Sequence, residues 1–297
     1  MKKAILSISL GVLVLGCSLF GFTNIVKHRA KNVDYSSWMS QLPDNTPITS
    51  VNMPGTHDTM ALYSVGDLAG QCQSLKLEDQ LKIGVRFLDI RLQLVNNELK
   101  AVHGFIDQRE SFKDIVNTVD KFLKAHNSEY IIMSIKEEAD AKKSTISFDD
   151  AVKKCRKSNW SKRQSLATGE TVADYRGQVI IMSRYAGATI GIPAYEGWID
   201  NATFNLPNGI HVQDQYKLKS CQEKIDAIDD CFNRQDEYMK INFLSGYIDG
   251  GFPPSYAPSV ANTVNKWIKE NIKSYLFRGI VLFDFVTSDL MKGWFEI

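Results

Sequence analysis

The chain has 297 residues, 44% hydrophobic and 23% charged, a composition that fits a folded globular protein and excludes a disordered or collagen-like one. Lysine and arginine number 35 against 34 aspartates and glutamates, for a net charge of +1. That balance supplies no basic field for gripping a polyphosphate backbone, so nucleic acid is not expected as a partner.

At the N-terminus, Lys2 and Lys3 precede an uncharged run from Ala4 to Val26. Lysines ahead of an apolar core are the pattern of an export signal, although the run also reaches the ~20 residues of a membrane-spanning helix. Lys27, His28, Arg29 and Lys31 follow at once, so both flanks are basic and charge sets no orientation. Three fates stay open: a cleaved signal, a retained anchor, or a lipoprotein attached through Cys17, where Val14-Leu15-Gly16-Cys17 loosely resembles a lipobox. Each puts the remainder outside the cytosol, secreted or anchored at the outer face of the membrane. Residues 1–30 are therefore read as the leader and 31–297 as one domain, since no repeat or composition shift divides it.

Beyond the leader, β-rich apolar runs predict strands over 48–53, 86–94, 99–103, 130–135, 178–183, 210–213 and 279–285. The runs from Tyr130 and Val179 are nearly all apolar, which suits strands buried on both faces of a parallel sheet. Helical spacing joins Phe112, Ile115, Val116, Val119, Phe122 and Leu123, and residues 218–240 and 258–276 read as helices too. Strand–helix alternation predicts an α/β fold, as an open sheet or a closed barrel. Of the cysteines outside the leader, Cys72, Cys155, Cys221 and Cys231, no two form a C-x-x-C pair, so a zinc ribbon or thioredoxin-like site is unsupported. A Cys221–Cys231 bridge and four free thiols stand as even alternatives.

Strand after strand ends in a polar or ionisable residue. The first runs into His57 and Asp58, the second carries Asp89 and Arg91, and the third ends at His103; Lys136, Arg184, Asp214 with Tyr216, and Asp284 follow. In a parallel barrel the C-terminal strand ends share one mouth, where active sites lie. Blander readings exist. Asp89 and Arg91, two apart on one strand face, could be a simple ion pair; His28, His126 and His211 read as structural; Lys142, Lys143, Lys153 and Lys154 read as a solvated surface. Seven coincident strand ends favour function. Two histidines suit a general base and a general acid working near neutral pH, and an arginine between them presents a donor fork matched to phosphate oxygens. With no H-E-x-x-H and no acidic cluster at calcium or magnesium spacing, metal-free cleavage of a phosphodiester is expected.

The segments Met53-Pro-Gly-Thr-His-Asp-Thr59, Gly84-Val-Arg-Phe-Leu-Asp-Ile-Arg-Leu92 and Val102-His-Gly104, in this order, resemble the bacterial-type phosphatidylinositol-specific phospholipases C of the X-domain family. The resemblance runs from about Trp38 to Asp289 and implies an irregular, incompletely closed TIM-type (β/α) barrel. It also implies cleavage of phosphatidylinositol to diacylglycerol and a 1,2-cyclic inositol phosphate, with release of GPI-anchored proteins as a further possibility. By matching position, His57 resembles the general base oriented by Asp284. His103 would protonate the leaving oxygen with Asp58 as its hydrogen-bonding partner, and Arg91 would hold the phosphoryl oxygens. Lys136, Arg184 and Asp214 resemble the groups that bind inositol hydroxyls, Tyr216 would present its ring to the apolar face of inositol, and Asp89 matches a carboxylate near Arg91. Calcium-dependent relatives carry an Asn after the first histidine and Glu-x-Asp on the second strand. Asp58 and Asp89-Ile90-Arg91 stand there instead, so no metal and no cofactor are expected. The partner implied is phosphatidylinositol or a GPI lipid at a membrane surface, met by a monomer with no protein partner.

The membrane-facing rim departs from the family pattern. The region from Tyr63 to Cys72 lacks the tryptophan often exposed there, while Phe252 and Tyr256 in 250–256 offer interfacial aromatics. Two rival functions remain: a catalytically idle inositol- or lipid-binding surface module, and a metal-dependent glycerophosphodiesterase on the same barrel, against which the missing metal carboxylates count.

Overall fold

A computed structural model describes residues 35–64, 70–166, 169–250, 257–276 and 279–296. The leader, with Cys17 and His28, and the aromatics Phe252 and Tyr256 lie outside the described residues. In chain order the first half contains β1 (Met53–Thr56), α1 (Leu77–Lys82), β2 (Phe87–Val95), β3 (Glu98–His103), β4 (Ile106–Ser111), α2 (Phe112–Ala125), β5 (Ile131–Lys142), α3 (Phe148–Lys154), β6 (Val179–Arg184) and β7 (Ile192–Pro193). The second half contains β8 (Thr203–Leu206), β9 (Ile210–Gln213), β10 (Lys217–Leu218), α4 (Cys221–Asn233), β11 (Met239–Phe243), β12 (Tyr247–Ile248), α5 (Ala257–Asn271), β13 (Ile280–Phe283) and α6 (Ser288–Phe295).

The main sheet runs β7-β6-β5-β2-β1-β13-β11-β9-β8. Neighbours from β7 to β9 pair in parallel, and β8 closes the row antiparallel to β9. The two outermost strands, β7 and β8, do not pair with each other, so the barrel is incompletely closed as expected. Its wall strands are buried on both faces: every residue of β6, β11 and β13 is buried, as are Ile131–Ile135 of β5. The helix α2 lays the predicted stripe of Phe112, Ile115, Val116, Val119, Phe122 and Leu123 into the core, and its first turn is capped by Ser111, whose hydroxyl accepts from the Asp114 amide. At the opposite end from the strand C-termini, Arg86 and Glu129 form a fully buried pair at 2.9 Å. Arg86 also donates to the Tyr35 and Ser36 carbonyls and Glu129 accepts from the Met39 amide, so the charges are spent on the backbone that plugs the barrel floor.

Some expectations shift. Residues 48–50 form a 3-10 turn and the first strand starts at Met53. The helix expected over 218–240 stops at Asn233, and Met239 and Lys240 already belong to β11. Lys240 disguised that strand: its stem is buried while Nζ reaches the Asp236 carboxylate, so a charged residue sits inside a core element. Among the described residues, Cys72, Cys155, Cys221 and Cys231 are all free. Cys221 and Cys231 lie at the two ends of one helix, about 15 Å apart at helical rise, well beyond disulfide reach.

Candidate active site

The register of two parallel strands creates the centre of the site. Thr56 on β1 pairs with Phe283 on β13, so the residues that follow, His57 and Asp284, leave the sheet side by side. The His57 amide donates to the Phe283 carbonyl, and His57 Nδ1 lies 2.8 Å from Asp284 Oδ1. Asp58 then takes the left-handed conformation (φ 37°), which short polar side chains tolerate, and the chain turns away from the mouth. A glycine is required just before: a Cβ on Gly55 would stand 2.7 Å from the Phe87 Cβ, too close for β1 to pair with β2.

A second register row supplies the cations. Arg91 on β2 pairs with Lys136 on β5, which pairs with Arg184 on β6, placing three basic side chains at one level of the mouth. Carboxylates hold them apart. Asp89, fully buried, accepts from Arg91 Nε at 3.1 Å and from Arg184 Nη1 at 3.2 Å, and also from the Asp58 amide. Burial alone would raise the Asp89 carboxyl, but Arg91 and Arg184, with His57, hold it well below the usual range. The predicted same-face pair of Asp89 and Arg91 is thus real, and it also orients the guanidinium. Arg91 Nη2 in turn donates to His57 Nε2 at 2.9 Å.

Because guanidinium nitrogens only donate, His57 Nε2 must accept, which leaves the proton on Nδ1, donated to Asp284. The imidazole therefore presents a basic nitrogen to the mouth. His103 is arranged the other way. Its Nδ1 lies 2.7 Å from the Gly70 carbonyl, which can only accept, so Nδ1 carries a proton and Nε2 remains to exchange one. Two sequence expectations are corrected here. His103 ends an antiparallel strand, β3, rather than a parallel one. It stands 3.9 Å from Asp58 Oδ2, too far for a hydrogen bond, and the carbonyl has taken the place expected for Asp58. Asp58 itself is buried with neither carboxylate oxygen hydrogen-bonded, and burial pushes its carboxyl up to about 7 against the pull of Arg91 and His57.

Arg184 lies with its guanidinium carbon 3.5 Å from the centroid of the Trp198 ring, whose indole donates to Asp214 Oδ2 at 3.1 Å. Asp214 is 3.9 Å from Arg184, so the two side chains and the indole frame one polar recess. Lys136 pairs with Glu138 at 2.7 Å, and Glu138 also faces Arg91 at 3.6 Å. Tyr216 is held to one side: its hydroxyl donates to Asp200 and its ring packs against Tyr247. His126 and His211 are structural as expected, bonded to Ser37 and Asn205, and the four lysines read as surface are exposed.

Sequence reasoning missed three contributors. Gln73 clamps the two central strands, donating to the His57 and Phe283 carbonyls while accepting from the Val286 amide. Glu138 and Trp198 complete the cation row and the recess. Glu138 was legible as the second residue after Lys136 on the same strand face; the other two sit in irregular segments with no periodic signal.

Residues 47–184 match the family model described as phosphatidylinositol-specific phospholipase C, X domain. The chain is 28% identical to the 1-phosphatidylinositol phosphodiesterase of Listeria monocytogenes, across 94% of this chain and 90% of that protein. It is also 28% identical to the enzyme of that name from Staphylococcus aureus, across 92% and 90%. A structure of phosphatidylinositol-specific phospholipase C from Staphylococcus aureus superposes with a TM-score of 0.76 at 23% identity, covering 88% of this chain and 97% of that one.

Proposed function

We propose that this chain, a member of the phosphatidylinositol-specific phospholipase C X-domain family, cleaves phosphatidylinositol to diacylglycerol and inositol 1,2-cyclic phosphate with no metal in the reaction. One observation carries the proposal: His57 Nε2 and Arg91 Nη2 are 2.9 Å apart, with Asp284 behind the imidazole and His103 across the mouth. The inositol 2-hydroxyl replaces Arg91 at His57 Nε2 and gives up its proton there. Its oxygen bonds to phosphorus, the phosphorus–glycerol oxygen bond breaks, and His103 Nε2 returns a proton to the departing oxygen. Asp284 stabilises the imidazolium formed on His57. Arg91 turns its freed donors to the phosphoryl oxygens, whose charge grows in the transition state; this is the work that a calcium ion would otherwise do. Glu138 and Asp89 hold the guanidinium in that orientation.

Arg184, Asp214 and Lys136 are the groups for the remaining inositol hydroxyls, with Trp198 stacked on Arg184 beside them. Tyr216 braces that wall through Asp200. Phe105, 85% exposed at the tip of the hairpin that carries His103, and Tyr195 and Ile199 on the loop around Trp198 are apolar points where a lipid surface meets the mouth. A GPI lipid carries the same inositol phosphodiester and is the second substrate. Among the described residues no helix is long and apolar enough to cross a membrane, and residues 1–30 supply the export or anchoring signal in this reading.

The test is turnover of phosphatidylinositol vesicles in excess chelator, followed by phosphorus NMR. A cyclic inositol phosphate signal is the expected result. Loss of turnover on chelation would overturn the metal-free mechanism, and inositol binding without turnover would leave an idle binding module.

A further inference from the structure

We infer that Asp58, Cys72 and His103 form a binding site for a thiophilic divalent metal such as zinc inside the catalytic mouth, and that its occupation blocks turnover. Cys72 is not part of the acid–base machinery, yet the backbone delivers it to the middle of it. Its amide donates to the Ala61 carbonyl and its carbonyl accepts from the Phe285 amide, one residue beyond Asp284. The buried thiol therefore falls between the two halves of the site. One ligand atom each from Asp58, Cys72 and His103 lies within 4.8 Å of the others, as does one each from His57, Cys72 and Asp284.

The two groups differ in what a metal would displace. His57 and Asp284 already satisfy each other at 2.8 Å, whereas in the other group a metal at His103 Nδ1 would replace only the bond to the Gly70 carbonyl, with the ring proton passing to Nε2. Asp58, only 1% exposed, has no hydrogen bond to either carboxylate oxygen; its near neighbours are Arg91 Nε at 3.8 Å and His103 Nδ1 at 3.9 Å. That second gap is too wide for a hydrogen bond but close to the about 3.3 Å that nitrogen and oxygen ligands keep on a tetrahedral zinc. Thiolate, imidazole and carboxylate are the donor set of zinc, with a fourth position left to water, whereas calcium and magnesium take oxygen alone. Arg91 opposes a cation here, but Asp58, Asp89 and Glu138 surround it with carboxylates.

The metal site stands on geometry alone; the block on turnover rests on the reading of His103 as the leaving-group acid, since a ligating imidazole is neutral and holds the proton on its other nitrogen far more tightly than an imidazolium does. The test uses the full chain, stripped with chelator and titrated with zinc by calorimetry and with cobalt by absorption. One metal per chain is expected, with a thiolate-to-cobalt charge-transfer band that persists in Cys17→Ser, Cys155→Ser and Cys221→Ser and vanishes in Cys72→Ser. Asp58→Asn should weaken zinc binding at least ~10-fold by calorimetry, a second variant in case Cys72→Ser is unstable. Phosphatidylinositol turnover should fall at least tenfold at saturating zinc and recover with chelator. No band, or the same zinc inhibition in Cys72→Ser, overturns the inference. A band in a protein without turnover upholds the site and defeats the proposed reaction; turnover without a band does the reverse.

Discussion

The two histidines at the mouth are the same side chain held in two different ways. His57 stands on the junction of β1 and β13, with its backbone tied into the sheet and both ring nitrogens bonded, to Asp284 and to Arg91. His103 stands at the end of an antiparallel hairpin whose pairing with β4 shifts register, and one carbonyl holds its ring. Its side chain is 29% exposed against 13% for His57. In the proposed reaction the base, His57, thus inherits its position from the register of the barrel wall, and the acid, His103, from the hairpin that also carries the exposed Phe105. A base must sit at a fixed distance from the attacking hydroxyl, while an acid must reach a leaving group that belongs to a lipid.

The sharpest way to break this comparison is to remove each imidazole. His57→Ala and His103→Ala should each lower kcat/KM on phosphatidylinositol by ~10²–10⁴-fold. With an inositol phosphodiester whose leaving group is a nitrophenol, which departs without a proton, His103→Ala should recover to within ~10-fold of the parent by the same Brønsted argument. His57→Ala should not. Equal rescue of both would end the division into base and acid.

A smaller effect separates the wall from the arm. Gln73→Leu strips the partner from the His57 carbonyl and the Val286 amide and one of two donors from the Phe283 carbonyl. At ~1–3 kcal/mol for a buried group left unsatisfied, unfolding titrations should show a loss of at least ~2 kcal/mol. The nitrophenyl substrate should slow about as much as phosphatidylinositol, because the base is what moves. On the arm, Phe105→Ser should reduce turnover of phosphatidylinositol in vesicles several-fold and leave a soluble inositol phosphodiester unaffected. Parallel losses on both substrates would show that the hairpin tip serves the site rather than the membrane.

The smallest effect is one of stability. Folding raises the Asp58 carboxyl from 3.8 to about 7, so between those values the folded state binds the proton that the unfolded state has lost. This group's contribution to stability therefore falls as pH rises through that window. Asp58→Asn removes the decline: thermal denaturation should show a Tm gain of a few degrees at pH 8 and none at pH 4. An equal gain at both pH values would mean that Asp58 is not titrating.

Much of this was legible in the chain because of local rules. Unbroken apolar runs such as 131–135 and 179–182 mark strands covered on both faces, and the 3.6-residue stripe of α2 marks its buried side, whatever surrounds them. Most of the ionisable residues stood out where an apolar run stops, while Asp89 and Arg91 broke the run inside β2 itself. Motif order then linked His57, Arg91 and His103 to one family. What the pattern could not supply was anything that depends on pairing across long stretches of sequence. The parallel register of β1 with β13 sets the 2.8 Å contact across 227 residues. The substitution of the Gly70 carbonyl for Asp58 as the partner of His103, the antiparallel direction of β3, and β11 hidden behind the buried stem of Lys240 are likewise decided by neighbours. Composition and periodicity report how each segment meets water and its own helix or strand axis. Which side chains meet each other is fixed only when strands from distant parts of the chain pair and burial sets which groups lie within reach.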